Sequence, residues 1–239
     1  MKAMIFAAGR GERMRPLTDN CPKPLLKVRG RPLIVWHILN LVRAGITEIV
    51  INHAHLGLMI EDTLGDGAQF GASIVYSAEG VALETAGGIA HALPLLGEAP
   101  FVALAGDIFC PYFDFEDVKT ALQDNDVWSN PLPPEQRELG WLYLVKNPAH
   151  NPAGDFALNS FAIASDGEPR WTFSGIGVYR TEMFAAIEPG SSAKLAPLLR
   201  THAALGRIGG EIYPGAWTDV GTAERLAQLN APFTRGGTK

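Results

Sequence analysis

The sequence predicts an α/β fold: a Rossmann-like, mostly parallel sheet with helices on both faces, plus a small antiparallel layer. Three observations carry the prediction. Apolar runs alternate with helical stretches through the first half of the chain, strand-like runs and loop signals crowd the second, and a glycine-rich segment directly follows the first apolar run.

The elements follow in chain order. Ala3–Ala7 reads as a strand, Pro32–Ala44 as a helix, Glu48–Asn52 as a strand and His55–Leu64 as a helix. Ile74–Tyr76 is a third strand, Gly87–Leu96 a helix, and Phe101–Ala105 a strand ending at Gly106-Asp107. Pro32 suits a first helical turn, where its missing N–H is no loss, and Gly45 suits a helix stop. Apolar side chains from Leu33 to Val42 surround the first helix, so burial on more than one face is expected.

Farther on, Asn130-Pro131-Leu132-Pro133-Pro134 and Asn147–Gly154 are loop signals around a strand at Leu139–Val145. Strands at Phe156–Ala164 and Trp171–Tyr179 follow. Helices near Ser192–Leu205 and Thr222–Leu229 bracket a strand at Ile208–Tyr213 and the segment Trp217–Gly221, and Gly236–Lys239 reads as a frayed end. With 47% hydrophobic and 19% charged residues, the 239-residue chain has apolar material for one large core, and a single domain over 1–239 is expected.

Charge and cysteine content exclude several function classes. The net charge is −5 and the Lys and Arg residues are scattered, so no basic stripe marks a nucleic-acid polymer as partner. A few placed cations can still hold a small anion. The two cysteines, Cys21 and Cys110, are far apart and match no metal-ligand spacing, which suits a reducing cytoplasm. The N-terminal apolar run is too short for a signal-peptide core, and no stretch reaches the roughly 18 apolar residues of a membrane helix. A cytosolic protein without a membrane partner is expected; oligomeric state is not encoded legibly.

The strongest chemical signal is Ala7-Ala8-Gly9-Arg10-Gly11-Glu12-Arg13-Met14-Arg15-Pro16-Leu17-Thr18. Glycines let a backbone approach a phosphate, and guanidinium groups neutralise it through forked hydrogen bonds. The bland alternative is a tight turn with solvated arginines. A dinucleotide fingerprint would want glycine at Met14 and an acid where Asn52-His53 stands, and a P-loop would want Gly-Lys-Ser or Gly-Lys-Thr, which is absent. In Cys21-Pro22-Lys23-Pro24-Leu25-Leu26, two prolines are expected to hold the backbone extended and to fix the direction of Lys23, unless this is an exposed lysine in a proline turn.

These two segments together resemble the signature of the sugar nucleotidylyltransferases, a glycine-rich Gly-x-Gly-x-Arg-Met-x-Pro-Leu-Thr loop followed by Pro-Lys-Pro-Leu. The resemblance is strongest over residues 2–110 and returns at 172–221. It implies a nucleotide-diphospho-sugar transferase fold, with a nucleotide-binding half at 1–110 and a sugar-phosphate-binding half at 111–239. It also implies a nucleoside triphosphate and a sugar 1-phosphate as substrates. Ala8, Gly9, Arg10 and Gly11 are then expected around the nucleotide, with Arg13 and Lys23 as the catalytic cations.

Other positions take their roles from the same resemblance. Glu79 falls where a side chain reads the base edge, and Thr85, Gly87 and Gly88 form the helix start beside base and sugar; read alone, this stretch is a loop and an N-cap. Gly106 lies by the nucleotide, and Asp107 and Asp219 take the two magnesium-ligand positions. Read alone, Asp107 at the carboxyl end of an apolar strand is a credible magnesium ligand, with a strand-end cap as the bland alternative, and Asp219 reads equally as a ligand or as a cap of the last helix. Magnesium, which accepts one or two protein carboxylates together with phosphate and water, is the implied cofactor.

Asp155, Asn159 and Ser174 are implied around the sugar. Where many hexose-1-phosphate relatives carry Glu-Lys-Pro, this chain has Ser165-Asp166-Gly167-Glu168-Pro169-Arg170, so a lysine expected to hold the sugar's phosphate is missing. Leu83–Gly88, Gly154-Asp155-Phe156 and Trp217–Thr222 resemble the branch serving bacterial cell-wall recycling, which implies UTP and N-acetylmuramate 1-phosphate. Glucose or mannose 1-phosphate, a silent regulatory protein and a nicotinamide-dependent dehydrogenase are the competing readings. His53 and His55 alternate along a strand, but no further ligand stands near them in sequence to complete a metal site.

Overall fold

A computed structural model of the chain describes residues 1–124, 133 and 136–232. The frayed end expected at Gly236–Lys239, and all of the Asn130–Pro134 loop except Pro133, lie outside the described residues. In chain order the first-half strands are β1 (Ala3–Phe6), β2 (Lys27–Val28), β3 (Arg31–Pro32), β4 (Glu48–His53), β5 (Ser73–Ala78), β6 (Phe101–Ala105) and β7 (Ile108–Phe109). The second half adds β8 (Gly140–Val145), β9 (Phe156–Asn159), β10 (Ala162–Ala164), β11 (Arg170–Tyr179), β12 (Ile208–Ile212) and β13 (Thr218–Asp219). The helices are α1 (Leu33–Arg43), α2 (Gly57–Leu64), α3 (Glu84–Leu96), α4 (Phe115–Asp124), α5 (Leu195–Ala204) and α6 (Ala223–Asn230). No helix among the described residues is long and apolar enough to cross a membrane.

One nine-stranded sheet runs through both halves in the order β5-β4-β1-β6-β11-β8-β12-β10-β9. β5, β4, β1 and β6 are mutually parallel, as the alternation of strands and helices predicts. Side chains alternate between two cores. Ala3, Ile5, Ile49, Ile51, Val102 and Leu104 pack with Ile34 and Ile38 of α1 and Ile60 of α2. Met4, Val50, Phe101 and Ala103 face the other way, onto Ile89 of α3 and Leu199 of α5. Helices therefore cover both faces. α1 meets the expectation of burial on several sides, because Leu33 joins a third cluster with Met14, Phe109 and Val220.

The expectation of a mostly parallel sheet with a separate antiparallel layer is corrected. The sheet is mixed: β11 pairs antiparallel with both β6 and β8, β12 is parallel to β8, and β9 and β10 complete the edge. Arg170 and Trp171 of β11 also pair with β9, closing β11, β8, β12, β10 and β9 into a five-strand ring. β11 serves both neighbours because its register with β8 shifts between Phe173 and Ile176. At that irregularity Gly175 has φ 84, and a Cβ there would lie 3.0 Å from the Cβ of Ala105.

Several boundaries also move. Phe156–Ala164 is two antiparallel strands rather than one, α3 begins at Glu84 rather than Gly87, and α5 begins at Leu195 rather than Ser192. The short strands β7 and β13 and the helix α4 carried no strong sequence signal; two-residue strands are too short for periodicity to show.

Cys110 is 2% exposed, and burial pushes its thiol up to about 12. Its thiolate is therefore negligible near neutrality. At pH 8 a maleimide should leave Cys110 unlabelled in the native protein and label it fully in guanidinium, as read by peptide mass spectrometry; native labelling at Cys110 would contradict this packing.

Candidate active site

The carboxyl ends of β1, β4 and β6 open onto a cavity of about 890 Å³. Open α/β sheets bind ligands at such strand ends, and the volume suits a ligand of nucleotide size. Its floor is the loop after β1. Met14 is buried and fastens the loop to the core, while the Thr18 hydroxyl donates to the Gly11 carbonyl at 2.9 Å. Gly11 has φ 70, and a Cβ there would press on Thr18 and Lys23, whereas a Cβ on Gly9 would meet nothing within 4 Å. Open space at Gly9 leaves the backbone approachable.

Ala8, Gly9, Arg10, Gly11, Arg13 and Lys23 all line this cavity. Arg10 is braced rather than free: it donates to the Thr18 carbonyl at 2.8 Å and lies 3.2 Å from Asp19. Lys23 opens a single 3-10 turn, Lys23–Leu25, so the expected extended backbone holds at Pro22 and again at Leu26 but not at Lys23 itself. The turn buries Lys23 to 7% exposure and sets its Nζ 2.5 Å from Asp107 Oδ2.

The second acid arrives from the far end of the chain. β13 pairs antiparallel with β7, with Asp219 opposite Ile108, and Val220 N donates to the Asp107 carbonyl at 2.9 Å. Two backbone segments more than 100 residues apart thus carry the two carboxylates side by side. A Cβ on Gly221 would lie 2.8 Å from Asp219 Oδ1 and 3.0 Å from an Arg13 guanidinium nitrogen, which locates Arg13 at the same corner. Asp219 Oδ2 is held by Arg225 at 2.8 Å and by His150 at 3.1 Å. Thr222, not Asp219, caps α6, its hydroxyl accepting from Arg225 N.

The carboxylates suit a hard cation. Lys23 occupies Oδ2 of Asp107, and Arg225 and His150 occupy Oδ2 of Asp219, leaving Oδ1 of each without a hydrogen-bonded protein partner among the described residues. Two such oxygens match the small protein share that magnesium takes beside phosphate and water. Among the described residues no group of three or more His, Cys, Asp or Glu could hold a metal by itself. His53 lies 2.6 Å from Glu61, and His55 contacts the Thr18 carbonyl.

Other expected residues stand behind the wall. Glu79 does not line the cavity: its carboxylate accepts from Asn52 Nδ2 at 2.6 Å and from Leu83 N at 2.8 Å. Asn52 Oδ1 in turn accepts from Ala7 N at 3.0 Å, so one buried amide ties the floor loop to the segment entering α3. Asn52 lines the cavity and was missed, because an Asn closing a strand carries no motif. Thr85 lines the cavity, whereas Gly87 and Gly88 give close approach: a Cβ would stand 2.3 Å from the Ser191 carbonyl at Gly87 and 2.6 Å from Glu79 at Gly88. Gly106 lets β6 touch β1, its N donating to the Phe6 carbonyl at 2.9 Å.

At the other end, Asp155 lines the cavity, with oxygens engaged by Phe173 N at 2.8 Å and Asn151 Nδ2 at 3.2 Å. Asn159 is exposed outside the cavity, and Ser174 is buried, its hydroxyl accepting from Ile176 N at the irregularity of β11. The arginine in the segment that lacks Glu-Lys-Pro, Arg170, bonds to the carbonyls of Ser165 and Asp155. Two unforeseen cations, Lys194 and Arg200, line the same end instead.

A family model described as nucleotidyl transferase matches residues 2–127. An N-acetylmuramate alpha-1-phosphate uridylyltransferase of Neisseria meningitidis is 53% identical over 235 residues, covering 97% of each chain. One of the same name from Caulobacter vibrioides is 33% identical over 229 residues, covering 92% of this chain and 91% of that one. In fold, the chain matches a crystal structure from Bacillus anthracis named as a glucose-1-phosphate thymidylyltransferase, with a TM-score of 0.81 at 23% identity, covering 96% of this chain and 94% of that one.

Replacing Asn52 with Leu keeps the volume but strands Ala7 N–H and leaves Glu79 short of a donor. Each loss costs about 1–3 kcal/mol, so Asn52→Leu should destabilise the protein by about 2 kcal/mol or more in urea unfolding. An unchanged midpoint would show that the amide is no brace.

Proposed function

The chain belongs to the nucleotidyl transferase family, and from that premise we propose that it transfers UMP from UTP to N-acetylmuramate 1-phosphate, releasing pyrophosphate. One observation carries the reading: Arg13, Lys23 and Asp107, from separate parts of the chain, line one cavity, and Asp219 stands just behind its lining residue Gly221, opposite Ile108 in the β7–β13 pair. The substrates are those named for the Neisseria and Caulobacter relatives. Such a reaction belongs to salvage of cell-wall sugar.

In the reaction an oxygen of the acceptor phosphate attacks the α-phosphorus of UTP, a new P–O bond forms, and the bond to the β-phosphate oxygen breaks as pyrophosphate leaves. The attacking oxygen is already ionised at neutral pH, so no side chain has to remove a proton. Alignment and charge compensation do the work. The open backbone at Gly9 receives the triphosphate, and Thr18 and Asp19 keep Arg10 from swinging away. Arg13 meets the charge that builds on the phosphates, and Lys23, fixed by its proline-flanked turn against Asp107, does so beside that carboxylate. Asp107 and Asp219 would hold a magnesium ion through their free oxygens, and the ion would draw charge from the phosphate oxygens. Arg200 presents a fork to the acceptor phosphate, at the end of the cavity where the lysine of a Glu-Lys-Pro segment is absent.

Pyrophosphate release across a panel of nucleoside triphosphates and sugar 1-phosphates tests the reading. UTP with N-acetylmuramate 1-phosphate should be turned over more efficiently than pairs with glucose or mannose 1-phosphate. Asp107→Ala should lower kcat/KM by at least about 100-fold, the scale of losing a group that stabilises transition-state charge. Faster turnover of a plain hexose phosphate would replace the acceptor, and undiminished activity in Asp107→Ala would remove the catalytic assignment.

A further inference from the structure

We propose that Lys194 selects acceptor sugars that carry a second negative group, a carboxylate remote from the phosphate, by holding that carboxylate against its ammonium. The inference rests on the proposed reaction and names how its site tells one acceptor from another.

The cations around the cavity are unequally committed. Arg10 is bonded to Thr18 and Asp19, Lys23 to Asp107, Arg225 to Asp219 and Arg170 to two carbonyls. Lys194 and Arg200 line the cavity with no hydrogen bond or ion pair to protein among the described residues; Arg200 lies over the Phe156 ring, 5.9 Å from its centroid. Two free cations at one end exceed what a single phosphate needs when Arg13 and Lys23 serve the nucleotide. They suit an acceptor with two anionic groups.

Placement divides the roles. Ala193 N donates to the Leu83 carbonyl at 3.0 Å, and its own carbonyl accepts from Ala86 N at 2.9 Å and Gly87 N at 3.0 Å. Leu195 on the other side is buried in the core with Phe156. The backbone of Lys194 is therefore clamped where the start of α3 meets the Phe156 wall, while its side chain remains exposed and free to reach a ligand. The acids on this wall do not compete for it: Asp155 is engaged by Asn151 and Phe173, and Glu84, which also lines the cavity, makes no ion pair with Lys194. A planar guanidinium matches phosphate with paired hydrogen bonds, and a compact ammonium matches a single carboxylate. N-acetylmuramate 1-phosphate carries such a carboxylate on its lactyl ether; N-acetylglucosamine 1-phosphate, otherwise the same sugar, has a hydroxyl there. Selectivity is the difference in affinity between them.

Steady-state kinetics of Lys194→Met, Lys194→Arg and the unaltered protein, each with both acceptors and saturating UTP, test this. Lys194→Met should lose about tenfold or more in kcat/KM on N-acetylmuramate 1-phosphate, mostly through KM, as expected for one charge-assisted hydrogen bond. It should stay within about twofold on N-acetylglucosamine 1-phosphate, and Lys194→Arg should recover most of the loss. If the unaltered protein prefers the carboxylated acceptor and Lys194→Met keeps that preference, or loses activity equally on both, Lys194 is not the selector while the proposed reaction stands. If the unaltered protein shows no preference, the acceptor reading falls and this inference with it.

Discussion

A lysine removed from water has to be answered by a negative charge, and at the mouth of this sheet that requirement organises the site. Lys23 keeps only 7% of its exposure and meets Asp107. An uncompensated ammonium at that depth would be costly, so neither partner is free to move alone. Both partners are fixed from behind: the lysine by its proline-flanked turn, the carboxylate by the end of β6, where Gly106 lets two strands touch. Arg13, Asp219 and the loop floor are arranged around this pair.

The antiparallel half is best understood through what it returns to the pair. By pairing with β6, β11 extends the parallel sheet and carries Ser174, whose carbonyl accepts from Trp217 Nε1 at 2.8 Å. The next residue, Thr218, begins β13, and its pairing with β7 lays Asp219 beside Asp107. The five-strand ring at the far edge supplies Asp155, Phe156 and Phe173 as the other wall. The same sheet thus runs behind both ends of the cavity, from the floor loop to Asp155.

Side chains set behind the wall matter as much as those on it. Asn52 and Glu79 form a brace from Ala7 to Leu83, so the floor loop and the α3 entry hold a common position. Gly87 and Gly88 are small because the 191–193 segment and this brace come within contact of their backbone. A sequence motif marks such residues without distinguishing contact with a ligand from support of the residue that makes it.

The sequence by itself determined the parallel strands, the helices on both faces, the glycine-rich loop and the proline-flanked lysine. Each is a local matter, of apolar period, φ permitted by glycine or φ fixed by proline. Only the tertiary structure decided that the antiparallel strands continue the sheet instead of forming a layer of their own, because one strand sharing several neighbours leaves no mark on its own periodicity. It also decided that Ser174 is buried, that Asn159 lies outside the cavity, and that Lys194 and Arg200 face into it. Those placements depend on which distant segments pack together, and an isolated polar or basic residue reads the same in sequence whether it faces solvent, core or ligand.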